Sequence, residues 1–246
     1  MLGRTRIIIL FASFLFVLNT QGQKASFSQI MADLGRMQQN FLPTDSGYIS
    51  CSIQYLYSKE STPTIYTDSI KGIMKAYQSF RYSKIMNTET LENDSMVLSV
   101  YNDSKTIVAT PAVRKKGDQR ILLLSMDSSF IINNVASATV ADKNGQRTLS
   151  LTFNDSSLYY RCTMIYDTTN YFPRGIAYIL RSTKLSESGK PAKDGGVITI
   201  RFTNYSTAPF NTAFLNTDSY VIISTRKLKA AYAGYTLYVN GAIGKN

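Results

Sequence analysis

The chain has no histidine and no tryptophan, and only two cysteines, in 246 residues. Without histidine there is no imidazole general base, no Ser-His-Asp arrangement and no His-ligated metal. No Cys-x-x-Cys pair, carboxylate pair or phosphate-cradling glycine loop is present either. Acidic residues are scarce, 16 against 27 Lys and Arg, for a formal net charge of +11. Such an excess can serve a nucleic acid or an anionic membrane surface. Here the basic residues are scattered. The densest clusters, Arg114-Lys115-Lys116 and Arg226-Lys227-x-Lys229, read as loop or strand-end charges.

Long apolar runs are also lacking, except at the start. Arg4 and Arg6 precede an apolar stretch from Ile7 to Leu18, and Asn19 to Gln23 forms a short polar exit. That is the pattern of a secretory signal peptide. The run is shorter than the ~20 apolar residues a membrane span needs. No cysteine follows it directly, which argues against lipid attachment there. The expectation is that residues 1–23 are cleaved and that 24–246 form one periplasmic domain, with membrane contact at most peripheral. Export argues against a nucleic-acid partner.

What the chain does have is alternation. In LYYRCTMIYDTTNYFPRGIAYIL, residues 158–180, Leu158, Tyr160, Cys162, Met164 and Tyr166 alternate with Tyr159, Arg161, Thr163 and Ile165. Period two marks a strand with one buried face. Asp167 to Asn170 break the pattern, and Ile176 to Leu180 resume it. The same unit of strand, polar turn and strand recurs from Gly47 to Thr110 and again after Ser137. Three Asn-Asp-Ser triplets, at 93–95, 102–104 and 154–156, and Asp142-Lys143-Asn144-Gly145 read as hairpin turns. They lack the spaced oxygen ligands of a calcium loop. Gly72, inside a strand from Ile65 to Tyr77, suggests a bulge or kink.

Two stretches are not strand-like. Ser26 to Phe41 places Phe27, Ile30, Met31, Leu34, Met37 and Phe41 at helical spacing, with Ser26 or Ser28 as N-cap and Pro43 as the stop. This predicts an amphipathic helix lying on a sheet. Ile121 to Val135 is predicted to hold short helical pieces. Ser182 to Gly196 reads as a polar loop. Val197–Phe202, Ser219–Thr225 and Tyr235–Val239 read as closing strands. Cys51 and Cys162 both occupy apolar-phase strand positions. In an oxidising compartment they could be bridged, or they could remain buried thiols that pack as small hydrophobes. The class is mainly β (α+β).

Several phrases, in order, resemble the LolA and LolB family of outer-membrane lipoprotein-sorting proteins. Gly72-Ile73-Met74 through Phe80-Arg81-Tyr82 is similar to the family's Gly-x-Leu strand and aromatic-Arg strand. Asn102-Asp103-Ser104-Lys105-Thr106-Ile107 is similar to its Asp-Gly-Lys hairpin, with Ser104 in place of Gly. Gly195 to Tyr205 is similar to its later Ile-x-Phe strand. The Arg-Pro step of the family's carriers is missing near Ala76 to Gln78, and the lipidated cysteine of LolB-type proteins is missing too.

The resemblance implies a curved antiparallel sheet forming a half-open barrel, covered by the N-terminal helix and short internal helices. It also implies an apolar cavity that takes a lipid or lipoprotein acyl chain. Ile49, Cys51, Ile53, Met74, Phe80, Met164 and Tyr166 would be its wall, and Phe130, Ile131 and Ile132 its lid. Each buried CH₂ contributes ~0.8 kcal/mol, so a tail could bind without a polar site. An apolar strand face is, however, ordinarily core. The function expected is a non-enzymatic carrier without cofactor. The alternative is an adaptor that uses the same fold to bind an envelope protein. Ser224-Thr225-Arg226-Lys227 matches a Ser-x-x-Lys spacing, but at a strand end without supporting motifs.

Overall fold

The computed structural model describes residues 23–41, 47–112, 128–182 and 195–240. The leader, the Pro43 helix stop, the 114–119 basic loop, residues 121–127 of the expected internal helices and residues 183–194 of the polar loop lie outside them. The elements are β1 (Gln23–Lys24), α1 (Phe27–Phe41), β2 (Tyr48–Ser58), β3 (Asp68–Tyr77), β4 (Phe80–Ile85), β5 (Thr88–Glu92), β6 (Met96–Tyr101) and β7 (Thr106–Pro111). Then follow α2 (Ser128–Asn134), β8 (Val135–Lys143), β9 (Gln146–Phe153), β10 (Tyr159–Asp167), β11 (Pro173–Leu180) and β12 (Val197–Ser206). The C-terminal part holds β13 (Val221–Ile222), β14 (Lys227–Leu228) and β15 (Thr236–Val239) among short 3₁₀ turns.

Thirteen strands form one curved sheet that does not close into a barrel, in the order β1-β8-β9-β10-β11-β12-β2-β3-β4-β5-β6-β7-β15. Two meanders, β2–β7 and β8–β12, join where β12 pairs with β2. All pairings are antiparallel except the last, where β15 adds to β7 in parallel. The expected turns are in place: Asn93-Asp94-Ser95, Asn102-Asp103-Ser104 and Asn154-Asp155-Ser156 each join neighbouring strands. At the β8–β9 turn Asn144 and Gly145 both take positive φ, 52° and 72°, as a two-residue hairpin turn requires.

Gly72 is not a bulge. The register runs through it on both sides, opposite Ile53 and Ile85. Its reason is close approach, because a Cβ there would sit 2.5 Å from the Lys84 carbonyl oxygen. The strand expected over Ser219–Thr225 is only the two-residue β13, flanked by 3₁₀ turns at Thr217–Ser219 and Ile223–Thr225.

α1 is capped by Ser26, whose Oγ accepts from the Gln29 N–H at 3.2 Å. It buries Ile30, Leu34 and Met37, positions i, i+4 and i+7 of one helical face. They pack on Ile49, Cys51 and Ile53 of β2 and on Leu149, Leu151, Cys162, Met164 and Ile176, with Ile131 of α2 closing the cluster. A buried carboxylate, Asp33, ties the helix down. It accepts from the Tyr166 hydroxyl at 2.7 Å and from Arg147 Nη1 at 3.0 Å. Arg147 is held in turn by Asp142, through two bonds of 2.7 Å. A buried charge persists only with such partners.

A second core lies on the opposite side of the sheet. Directly paired residues share a face, so Ser50, Lys75, Tyr82, Leu91, Leu98, Ala109 and Val239 form one row. The adjacent row, from Cys51 through Met74, Ser83, Thr90 and Ser99 to Val108, belongs to the α1 side. Apolar and polar faces therefore exchange sides between β3 and β4. Over β4–β7 the apolar face is covered by the C-terminal segment, through Leu215, Tyr220, Val221, Phe210 and Phe214. Over β8–β12 the side away from α1 is mixed, with Thr148, Ser150, Thr163, Thr199 and Arg201 beside Ile165 and Ala177.

Candidate functional site

The residues expected to line an acyl cavity fall in three places. Ile49, Cys51, Ile53, Met164 and Tyr166 are buried in the cluster under α1, and Met74 is half-buried at its margin. Phe80 is on the other face, opposite Tyr77, and packs into the second cluster. The parity across the β3–β4 turn decides this: Met74 pairs with Ser83, so Phe80, an odd number of residues away, points the other way.

Of the lid residues, Ile131 is fully buried, Phe130 packs its ring 5.9 Å from that of Phe153, and Ile132 is 59% exposed. The two cysteines are free, buried thiols. They belong to β2 and β10, which are separated by β11 and β12. Three strand spacings of ~4.8 Å far exceed disulfide reach. Burial pushes the Cys51 thiol up to about 12 and the Cys162 thiol higher still, so neither is a reactive thiolate.

An open groove of about 360 Å³ lies on the side of the sheet away from α1, along β11. That volume is within the ~300–1,000 Å³ of ordinary ligand sites. Its floor is made by the small residues Gly175 and Ala177. Thr163 and Ile165 of β10 rise on one side and Thr199, Arg201 and Thr203 of β12 on the other, with Gln146 and Arg174 at one end. The rows Thr163–Ala177–Thr199 and Ile165–Gly175–Arg201 confirm that these side chains share one face.

Arg201 is exposed, and its guanidinium lies 5.6 Å from the Tyr66 ring centroid. The Tyr66 hydroxyl meets Thr199 Oγ1 at 3.2 Å. Arg174 reaches Asp167 at 3.6 Å and sits 6.0 Å from the Tyr205 ring. The Asp167 carboxyl is held below the usual carboxylate range, chiefly by the Thr169 N–H and with Arg174 contributing. The groove thus offers guanidinium, hydroxyl and amide donors over an aliphatic floor. Sequence reasoning missed it, although the Gly175-x-Ala177 pair flanked by Thr-rich strands is a visible trace.

A second, smaller depression of about 190 Å³ is lined by Tyr55, Tyr57, Ile70 and Ile198. Tyr57 pairs with Ile198 and Tyr55 with Ile70, in two successive rows on the α1 side. Among the described residues no group of three or more potential metal ligands gathers, and no helix is long and apolar enough to cross a membrane.

No known protein family and no curated protein matches the chain. Solved structures do. An uncharacterized conserved protein from Thermus thermophilus aligns with a TM-score of 0.46 at 10% identity, over 86% of this chain and 99% of that one. A LolA superfamily protein from Nitrosomonas europaea aligns at 0.32 and 10%, over 76% and 97%. A putative outer membrane lipoprotein-sorting protein domain from Vibrio parahaemolyticus aligns at 0.33 and 9%, over 75% and 96%. The groove on β11 lies on the face of the sheet that α1 and α2 leave uncovered.

Proposed function

We propose that the chain is an exported, non-enzymatic binding protein of the cell envelope that holds a partner protein on the side of its sheet away from α1. One observation carries this reading: the α1 side is occupied by the helix's own side chains, while an open groove of about 360 Å³ lies on the other side. Absence of histidine and the lack of a nucleophile–base pair in the groove support a binding role over catalysis. The leader read from the sequence supports export to the periplasm.

A second reading keeps the acyl chain as ligand. It is favoured by the apolar depression at Tyr55, Tyr57, Ile70 and Ile198, which lies on the side where a carrier would hold its cargo.

Native mass spectrometry of the protein expressed from its full-length sequence and purified from the cell envelope fraction separates the two. The expected result is the mass of the leader-free polypeptide without lipid, alone or with a protein partner of defined stoichiometry. An adduct of lipid mass that is lost on denaturation would overturn the adaptor reading in favour of the carrier. A retained leader would overturn the proposal of a cleaved, exported chain.

A further inference from the structure

Resting on the protein-binding reading, we infer that the groove along β11 receives an extended, acidic segment of the partner. Three observations lead there. The first is charge. The register places Arg161, Arg201 and Lys71 on the same face of the sheet as the groove. Asp167 is the one acidic residue in those rows from β9 to β3, and Arg174 already neutralises it. Among the described residues no carboxylate pairs with Arg201, whose recorded neighbour is the Tyr66 ring. A cationic face at this density, in a chain of net charge +11, attracts and orients anionic ligands.

The second observation is width. The groove walls stand on β10 and β12, two strand spacings apart, or ~10 Å between backbones. Side chains on both walls narrow this further. An α-helix with side chains needs ~10–12 Å and does not reach the floor. A planar membrane surface touches only the rims. A single extended chain fits along β11. The third is the donor set. β11 is paired on both sides, with β10 and β12, so its backbone does not accept another strand. Recognition must come from side chains: Arg201 for carboxylates, the hydroxyls of Thr163, Thr199 and Thr203 and the Gln146 amide for carbonyls, and Ile165 and Ala177 for aliphatic stems. Charge-assisted bonds from arginine are the strong members of that set.

The test uses the processed full chain and a short fluorescein-labelled peptide of alternating glutamate and threonine, which puts every carboxylate on one side when extended. The matched glutamine–threonine peptide and vesicles of phosphatidylcholine with phosphatidylglycerol are the comparisons. By fluorescence anisotropy the glutamate peptide is expected to bind, and more weakly as salt rises. Arg201→Gln should weaken it by about tenfold or more, the effect of one charged hydrogen bond. Ala177→Leu, which fills the floor, should abolish it. Arg201 is exposed, so circular dichroism and melting of Arg201→Gln should match the wild type.

Equal affinity for the glutamine peptide overturns the inference. So does binding of vesicles that the peptide does not displace, which would make the face a membrane contact. Failure to bind either probe also overturns it. That last outcome leaves the protein-binding reading to be judged by the native mass spectrum, so the two failures are distinguishable.

Discussion

Removing the Asp33 carboxylate tests whether α1 is locked to the sheet or merely laid on it. Asp33 is 3% exposed, accepts from the Tyr166 hydroxyl at 2.7 Å and from Arg147 at 3.0 Å. Taking one partner out of a buried ion pair costs ~3–5 kcal/mol, because the other charge is left uncompensated. Here Arg147 keeps Asp142 and is 21% exposed at its side chain, so Asp33→Ala should fall at the low end, ~3 kcal/mol. For a domain of this size that is a melting point lower by ~6–12 °C. Tyr166→Phe removes only a hydroxyl that donates to a charged group and should cost ~1.5–3 kcal/mol. The double variant should cost less than the sum, since both act on one network. Urea unfolding followed by circular dichroism measures all three. A loss below ~1 kcal/mol for Asp33→Ala, or simple additivity, refutes the account of the network as the anchor of α1.

Other expectations follow from single positions. Gly72→Ala places a methyl 2.5 Å from the Lys84 carbonyl; it should cost ~1–3 kcal/mol as an overpacked site does, read from the urea midpoint. Ile131 is fully buried and Ile132 59% exposed, so Ile131→Ala should lose ~2–5 kcal/mol and Ile132→Asp no more than ~0.5 kcal/mol in the same assay. Equal effects would mean that α2 is not packed as a core element. The thiols give a pH test. Folding raises Cys51 from 9.0 to about 12 and raises Cys162, the buried Tyr178 and the half-buried Tyr205. Their contribution is fully present below about pH 9 and is lost as pH climbs towards about 12, because the unfolded chain ionises first. Melting temperature should therefore fall steadily above about pH 9. Iodoacetamide at about pH 8, below the ordinary thiol range, should label neither cysteine before denaturation and both after it, as counted by intact mass.

Sequence alone determined the local elements, because their signals are short-range. Alternation over 158–166, the Asn-Asp-Ser and Asn-Gly turns, and the Ile30–Leu34–Met37 stripe each depend on backbone and side-chain chemistry within a few residues. The turns and the helix stripe stand in the structure, and so does the alternation from Cys162 to Tyr166; Leu158, expected on the buried face, lies outside β10 and is 81% exposed, and the register slips between Tyr159 and Arg161. The family resemblance likewise placed the helix before an open, curved sheet.

What the tertiary structure decided is which face each strand turns to the interior. Period-two patterns repeat identically on either side of a sheet, so nothing local tells Met74 from Phe80. Only the register through the β3–β4 turn sends Phe80 to the opposite core. The same holds for Cys51 and Cys162, equivalent in phase but separated by β11 and β12, and for Asp33, a polar residue on an apolar stripe whose partners are more than a hundred residues away. The β15 addition beside β7 is parallel and distant in sequence, with no turn to announce it. The groove on β11 is likewise a product of assembly: Gly175 and Ala177 become a floor only when β10 and β12 raise walls on both sides.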